Sequence, residues 1–86
     1  MNYAQIINMA PGKFKLVSSD DSNREIWEVA DNVGLLTLSL FLQSDDLPSD
    51  MALSFAGRKF VFRTSAERIQ FALGVGLSFE IMLRNS

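Results

Sequence analysis

The chain offers few side chains capable of chemistry, and the missing ones decide more than those present. It contains no histidine and no cysteine. That excludes His-based triads, Cys nucleophiles, thiolate zinc sites, iron–sulfur ligation and disulfides. A serine nucleophile would need a base, and only Lys13, Lys15, Lys59 or a carboxylate remains, none of them at a recognisable serine–lysine spacing. Two adjacent acid pairs, Asp20–Asp21 and Asp45–Asp46, offer oxygen ligands of the type that Mg²⁺ or Ca²⁺ takes. The ligand spacing of an EF-hand loop is missing, and neighbouring acids in a loop are ordinarily just solvated. The chain therefore reads as a protein without enzymatic activity, cofactor or metal.

Three further patterns bear on nucleic acid. Gly57, Phe60 and Val61 are similar to part of an RNA-recognition strand, but the aromatic slots before Phe60 are filled by Arg58 and Lys59. Bases stack on exposed aromatic faces, so the residual nucleic-acid reading rests on Arg58, Lys59 and Arg63 as a small basic patch. The Ala30–Gly34 spacing resembles that of a helix-turn-helix, yet the following residues offer Leu36, Leu38, Phe41 and Leu42, which cannot hydrogen-bond to base edges. Gly74-Val75-Gly76 looks like a fragment of a phosphate loop, but it falls at the end of an expected helix, where the dipole repels phosphate.

The elements that must position these residues follow from periodicity. Tyr3 to Ala10 suits two helical turns stopped by Pro11-Gly12, so residues 1–12 form an arm or short helix. Residues 13–18 alternate as a strand, and Lys13 and Lys15 suit an edge. Residues 22–34 are ambiguous. Ser22 and Glu25 fit a capping box, Ile26, Val29, Ala30 and Val33 make a helical stripe, and Gly34 fits a C-cap. The rival is a hairpin turning at 20–23, with Trp27 and Val29 on one strand face. The helix is the favoured alternative.

Leu35 to Gln43 alternates leucine with Thr37, Ser39 and Phe41 and reads as a central strand. In residues 51–63, a turn at Gly57-Arg58 pairs Phe55 with Phe60 and Leu53 with Phe62, a hairpin with sensible faces. Thr64-Ser65-Ala66-Glu67 is a capping box for a helix that Gly74 and Gly76 should end, and a last strand follows over 77–84. The expected fold is one small α+β domain spanning 1–86. Its sheet is mostly antiparallel, with four to five strands and two helices on one face, in a split βαβ-like order with an added hairpin strand.

Charge and size set the remaining limits. Net charge is −2, distributed as +2 over residues 1–18, −7 over 19–50 and +3 over 51–86. The balance has the wrong sign for a typical nucleic-acid binder. No basic start precedes an apolar run, and the most apolar window, 33–42, is far shorter than the roughly 20 residues that cross a bilayer. No membrane association is expected, and a cytoplasmic location is the default. A domain of this size buries a modest core, and a homodimer or partner would add to it.

With chemistry disfavoured, the expectation is a regulator or inhibitor acting by stoichiometric contact with a larger protein. By size alone, this is the kind of short protein that phages and mobile elements encode. Candidate contact residues are Trp27, Asp45, Asp46, Arg58, Lys59 and Arg63. Phe41, Val61 and Met82 stand opposite the main leucine row, as a possible second apolar patch. The alternative is an RNA- or DNA-contacting module using Arg58, Lys59 and Arg63.

Overall fold

The computed structural model describes residues 2–17 and 24–84, with side chains as far as residue 75. The chain runs α1 (Tyr3–Met9), β1 (Phe14–Val17), β2 (Glu25–Val29), α2 (Leu35–Leu42), β3 (Met51–Phe55), β4 (Arg58–Phe62) and α3 (Ser65–Arg84). The strands form one sheet in the order β1-β2-β3-β4. β1 pairs antiparallel with β2, β2 parallel with β3, and β3 antiparallel with β4. Two β-hairpins are thus joined side by side, and α2 makes the crossover that parallel neighbours require. Among the described residues the domain is a small α+β unit, with a mixed sheet of four strands and three helices rather than two.

All three helices lie against one face of the sheet, and aromatic contacts show it. Tyr3 of α1 meets Trp27 edge-on at 5.6 Å between centroids. Phe41 of α2 stacks on Phe14 at 4.4 Å and meets Trp27 at 5.2 Å. Phe71 of α3 touches Phe60 and Phe62 at 4.8 and 5.2 Å. Around these rings Ile6, Val29, Leu38, Leu42, Met51 and Leu53 are buried. The core is therefore one layer between helices and sheet, as a single-sided sheet requires.

The outer elements match their sequence signals. Asn2 and Gln5 form a reciprocal capping box on α1. β1 is an edge strand, as its lysines suggest. Thr64 Oγ1 accepts the Glu67 amide at 3.1 Å, and the Glu67 carboxylate reaches back to the Arg63 amide at 3.0 Å.

Several expectations are corrected. Residues 25–29 are strand, not helix: Ile26, Trp27 and Val29 are β-branched or aromatic, and the pleat buries Trp27 and Val29 on one face. Ser22 and the turn at 20–23 lie outside the described residues. Gly34 does not end a helix but precedes one; it is the N-cap of α2, and its carbonyl accepts the Leu38 amide at 2.9 Å.

Leu35–Leu42 is α2, not a central strand. Leucine's helix preference outweighs the period-two pattern, and the buried set Leu38, Ser39, Phe41 and Leu42 follows a helical face. Burial of Phe41 in the core removes it from any second apolar patch. Residues 77–84 continue α3 instead of forming a strand. Gly74 and Gly76 do not stop the helix, because a glycine in a helix interior costs only about 1 kcal/mol. The Met82 side chain lies outside the described residues.

The β3–β4 hairpin is present with its turn one residue earlier. Ala56 and Gly57 both have positive φ, 53° and 74°, which is the backbone of a type I′ turn and suits the twist of a two-residue hairpin. Pairing moves by two residues, to Phe55–Arg58, Leu53–Phe60 and Met51–Phe62. A two-residue slip keeps every side chain on its face. The Ala56 amide donates to Asp31 Oδ1 at 3.1 Å, which ties this turn to the β2–α2 connection.

Candidate binding face

Opposite the helices, no described helix packs on the sheet, and the composition of that face follows from register. Val17 pairs with Ile26, Ile26 with Ala52, and Ala52 with Val61. An apolar row therefore crosses all four strands. Val17 and Ile26 are half-buried by their neighbours, Val61 is 41% exposed, and Ala52, the smallest, is shielded between Ile26 and Val61.

Next to this row the same register aligns Lys15, Glu28, Ser54 and Lys59. On its other side Arg24 Nε donates to Asp50 Oδ1 at 2.5 Å. The apolar row is thus flanked on both sides by charged side chains. A shallow concavity of about 250 Å³ opens at the β1 end of this face, lined by Gly12, Lys13, Lys15, Glu28, Val29 and Ala30. Lys13 Nζ donates to Asn32 Oδ1 at 3.0 Å beside it.

The structure distributes the sequence candidates rather than gathering them. Trp27 is only 4% exposed, with its indole N–H donated to Glu25 Oε1 at 3.0 Å, so the ring belongs to the core. Arg58 points to the helix-covered side, its guanidinium 5.5 Å from the Phe60 ring centroid. Lys59 points to the open face, and Arg63 lies just past β4 with its amide held by Glu67. Strand alternation thus separates Arg58 from Lys59. The aromatic residues of β3 and β4 (Phe55, Phe60 and Phe62) share the helix side, and the open face has none of them.

Asp45 and Asp46 sit in the loop after α2. Asp46 Oδ1 accepts the Tyr3 amide at 3.0 Å and so joins this loop to α1. Both lie near Arg68, the one charged side chain among the described residues that is fully buried. Its Nη1 donates to the carbonyls of Leu42 and Ser44, the latter at 3.1 Å, while Nε has no partner. The guanidinium thereby caps the C-terminal end of α2, where the dipole favours a cation. Burial pushes its pKa below the ordinary arginine value, and Asp45 and Asp46 oppose that shift. A second helix–helix tie lies nearby: Ser39 Oγ donates to the Ala72 carbonyl at 2.8 Å and accepts from Gln43 Nε2 at 3.0 Å.

Sequence alternation places Val17 with the outward lysines of β1 and Val61 on the outward face, but it does not join Ile26 and Ala52 to them as a row. A period-two reading of residues 25–29, the hairpin alternative, is the signal that would have aligned Ile26 with Val17. Among the described residues no three Asp or Glu side chains converge as a metal site, and no helix is long and apolar enough to cross a membrane. Comparison of the chain with protein-family models, curated proteins and solved structures found no match.

Proposed function

We propose that this protein is a binding module acting by stoichiometric contact with a larger protein, as a regulator or inhibitor without catalysis of its own, and that it docks through the open face of its sheet. The observation that carries the reading is the unbroken apolar row Val17–Ile26–Ala52–Val61. A sheet face left to water normally alternates to polar residues, and the rows on either side of this one do so. An apolar centre with a charged rim is the anatomy of a protein contact surface.

The competing reading, contact with RNA or DNA through Arg58, Lys59 and Arg63, finds less support. Those side chains do not share one surface, and the open face lacks an aromatic platform for bases. Among the described residues, Met9, Leu16, Leu36, Ile69 and Leu73 are also exposed; of these only Leu16 lies in the sheet, and its cross-strand partner Trp27 is buried, so they form no row fixed by register.

The test is a tagged pull-down from lysate with and without nuclease, compared with a Val61→Asp variant. One protein retained at near-equal stoichiometry after nuclease, and lost with Val61→Asp, is the expected result. A partner set that disappears with nuclease overturns the reading in favour of nucleic acid.

A further inference from the structure

The open face differs in charge from the molecule that carries it. Its flanking positions hold Lys13, Lys15, Arg24 and Lys59 against Glu28 and Asp50, a local surplus of two positive charges in a chain of net charge −2. Lys15 and Lys59 stand at the two edges of the sheet, on β1 and β4, in the same transverse row.

The face is also small. Four strands at about 4.8 Å spacing and five residues at about 3.3 Å rise give roughly 300 Å². A stable interface between globular subunits takes about 800 Å² per partner, so this face alone is too small to hold two copies of the chain together. It matches the footprint of one helix or one extended segment.

We infer that the occupant of this face is a single acidic amphipathic segment of the partner protein, with an apolar ridge seated along Val17, Ile26 and Val61 over the buried Ala52 and carboxylates reaching Lys15 and Lys59. This rests on the protein-contact reading above and adds the chemistry of the partner. Short side chains make the row flat, so it receives a ridge instead of gripping a projecting anchor. Lysines at both sheet edges set the sign of the rim. Attraction of that kind raises association rates and weakens with salt.

The experiment is selection on the immobilised full chain from a displayed library of random 16-residue peptides. Recovered peptides are synthesised and titrated by fluorescence anisotropy. The expected result is enrichment of peptides with net negative charge and spaced apolar residues. Their affinity should fall at least tenfold with Val61→Asp, at least fivefold with the paired reversal Lys15→Glu and Lys59→Glu, and measurably between 50 and 300 mM salt.

Leu73→Asp on the helical side should leave affinity unchanged. Lys15 and Lys59 are exposed, so the paired reversal keeps the test valid if Val61→Asp impairs folding. Recovery of no peptide, absence of acidic bias, or indifference to the lysine reversal overturns the inference. If binding is lost with Leu73→Asp and not with Val61→Asp, protein contact stands but this face is the wrong one. Oligouridylate and vesicles of mixed neutral and anionic phospholipid run as parallel probes. Tighter binding of either, with the same lysine dependence, also overturns the inference.

Discussion

Arg68 provides the sharpest test of how this core is held together, because two opposed effects meet at one side chain. Burying the guanidinium costs several kcal/mol of lost hydration. Against that, it supplies charge-assisted hydrogen bonds to the Leu42 and Ser44 carbonyls at the end of α2, each worth about 1.5–3 kcal/mol. Arg68→Met keeps an apolar stem of similar length and removes the buried charge, but it leaves both carbonyls without a donor. An orphaned buried acceptor costs about 1–3 kcal/mol, so two of them give a gross loss of about 2–6 kcal/mol.

Relief of the desolvated charge offsets part of this loss, and the expected net destabilisation is about 2–3 kcal/mol. For a domain of this size that lowers Tm by about 8–24 °C. Arg68→Lys retains a cation with one compact donor and should lose about half as much. The assay is urea unfolding followed by the fluorescence of Trp27, the chain's single tryptophan, which sits in the core beside Tyr3 and Phe41. If Arg68→Met is as stable as the parent or more so at unchanged m-value, desolvation outweighs the capping bonds, and the account of Arg68 as a helix cap fails.

Other substitutions probe the turns and helices by the same assay. Gly74 lies inside α3, and a Cβ built there meets nothing within 4 Å, so Gly74→Ala should raise stability by about 0.5–1 kcal/mol. Ala56 holds φ of 53°, a left-handed conformation that costs a non-glycine residue about 1 kcal/mol; Ala56→Gly should recover most of it, visible as a rise in Tm. Ser39→Ala removes the bond to the Ala72 carbonyl and the acceptor for Gln43 and should cost about 1–2 kcal/mol in urea. Asp46→Ala frees the Tyr3 amide, and hydrogen exchange should show faster exchange in α1 with α2 unchanged.

How far the fold could be read from the sequence depended on whether local signals agreed with one another. At the β3–β4 hairpin, alternation, a glycine and opposed aromatic residues all pointed one way. Only the turn position, and with it the pairing by two residues, differs: a glycine-first turn is expected, whereas the hairpin turns through a left-handed Ala56. At the start of α3, cap chemistry and periodicity coincide, and at α1 the Pro11-Gly12 stop alone marks the helix end. Between residues 25 and 43 they conflicted. Ile26, Val29, Ala30 and Val33 fit a helical stripe although the branched Ile26, Val29 and Val33 favour strand, and the leucines of 35–42 alternate although leucine favours helix. Residue preference prevailed over periodicity in both segments. α2 packs on the sheet with α1 and α3 as helical neighbours, so apolar residues on much of its surface find partners and its pattern carries little directional information. Arg68 gave no sequence signal at all, since a buried arginine reads like any other charge on a helix.

The same conflict of signals between residues 25 and 43 hides the apolar row of the open face. Divided along the chain, charge appears as an acidic stretch from 19 to 50 between two basic ends. The sheet redistributes it. Pairing brings Lys15 from the first segment and Lys59 from the last into one row with Glu28 between them. Asp31 is drawn away to hold the Ala56 amide and Asp46 to hold the Tyr3 amide. Acids of the middle segment thus serve as ties between loops and helices, while lysines from the two basic segments come to flank the apolar row. A surface made this way cannot be seen in charge runs, because it depends on strand parity. Reading Glu25–Val29 as helix removed the strand through which that parity passes, and the row Val17–Ile26–Ala52–Val61 disappeared with it.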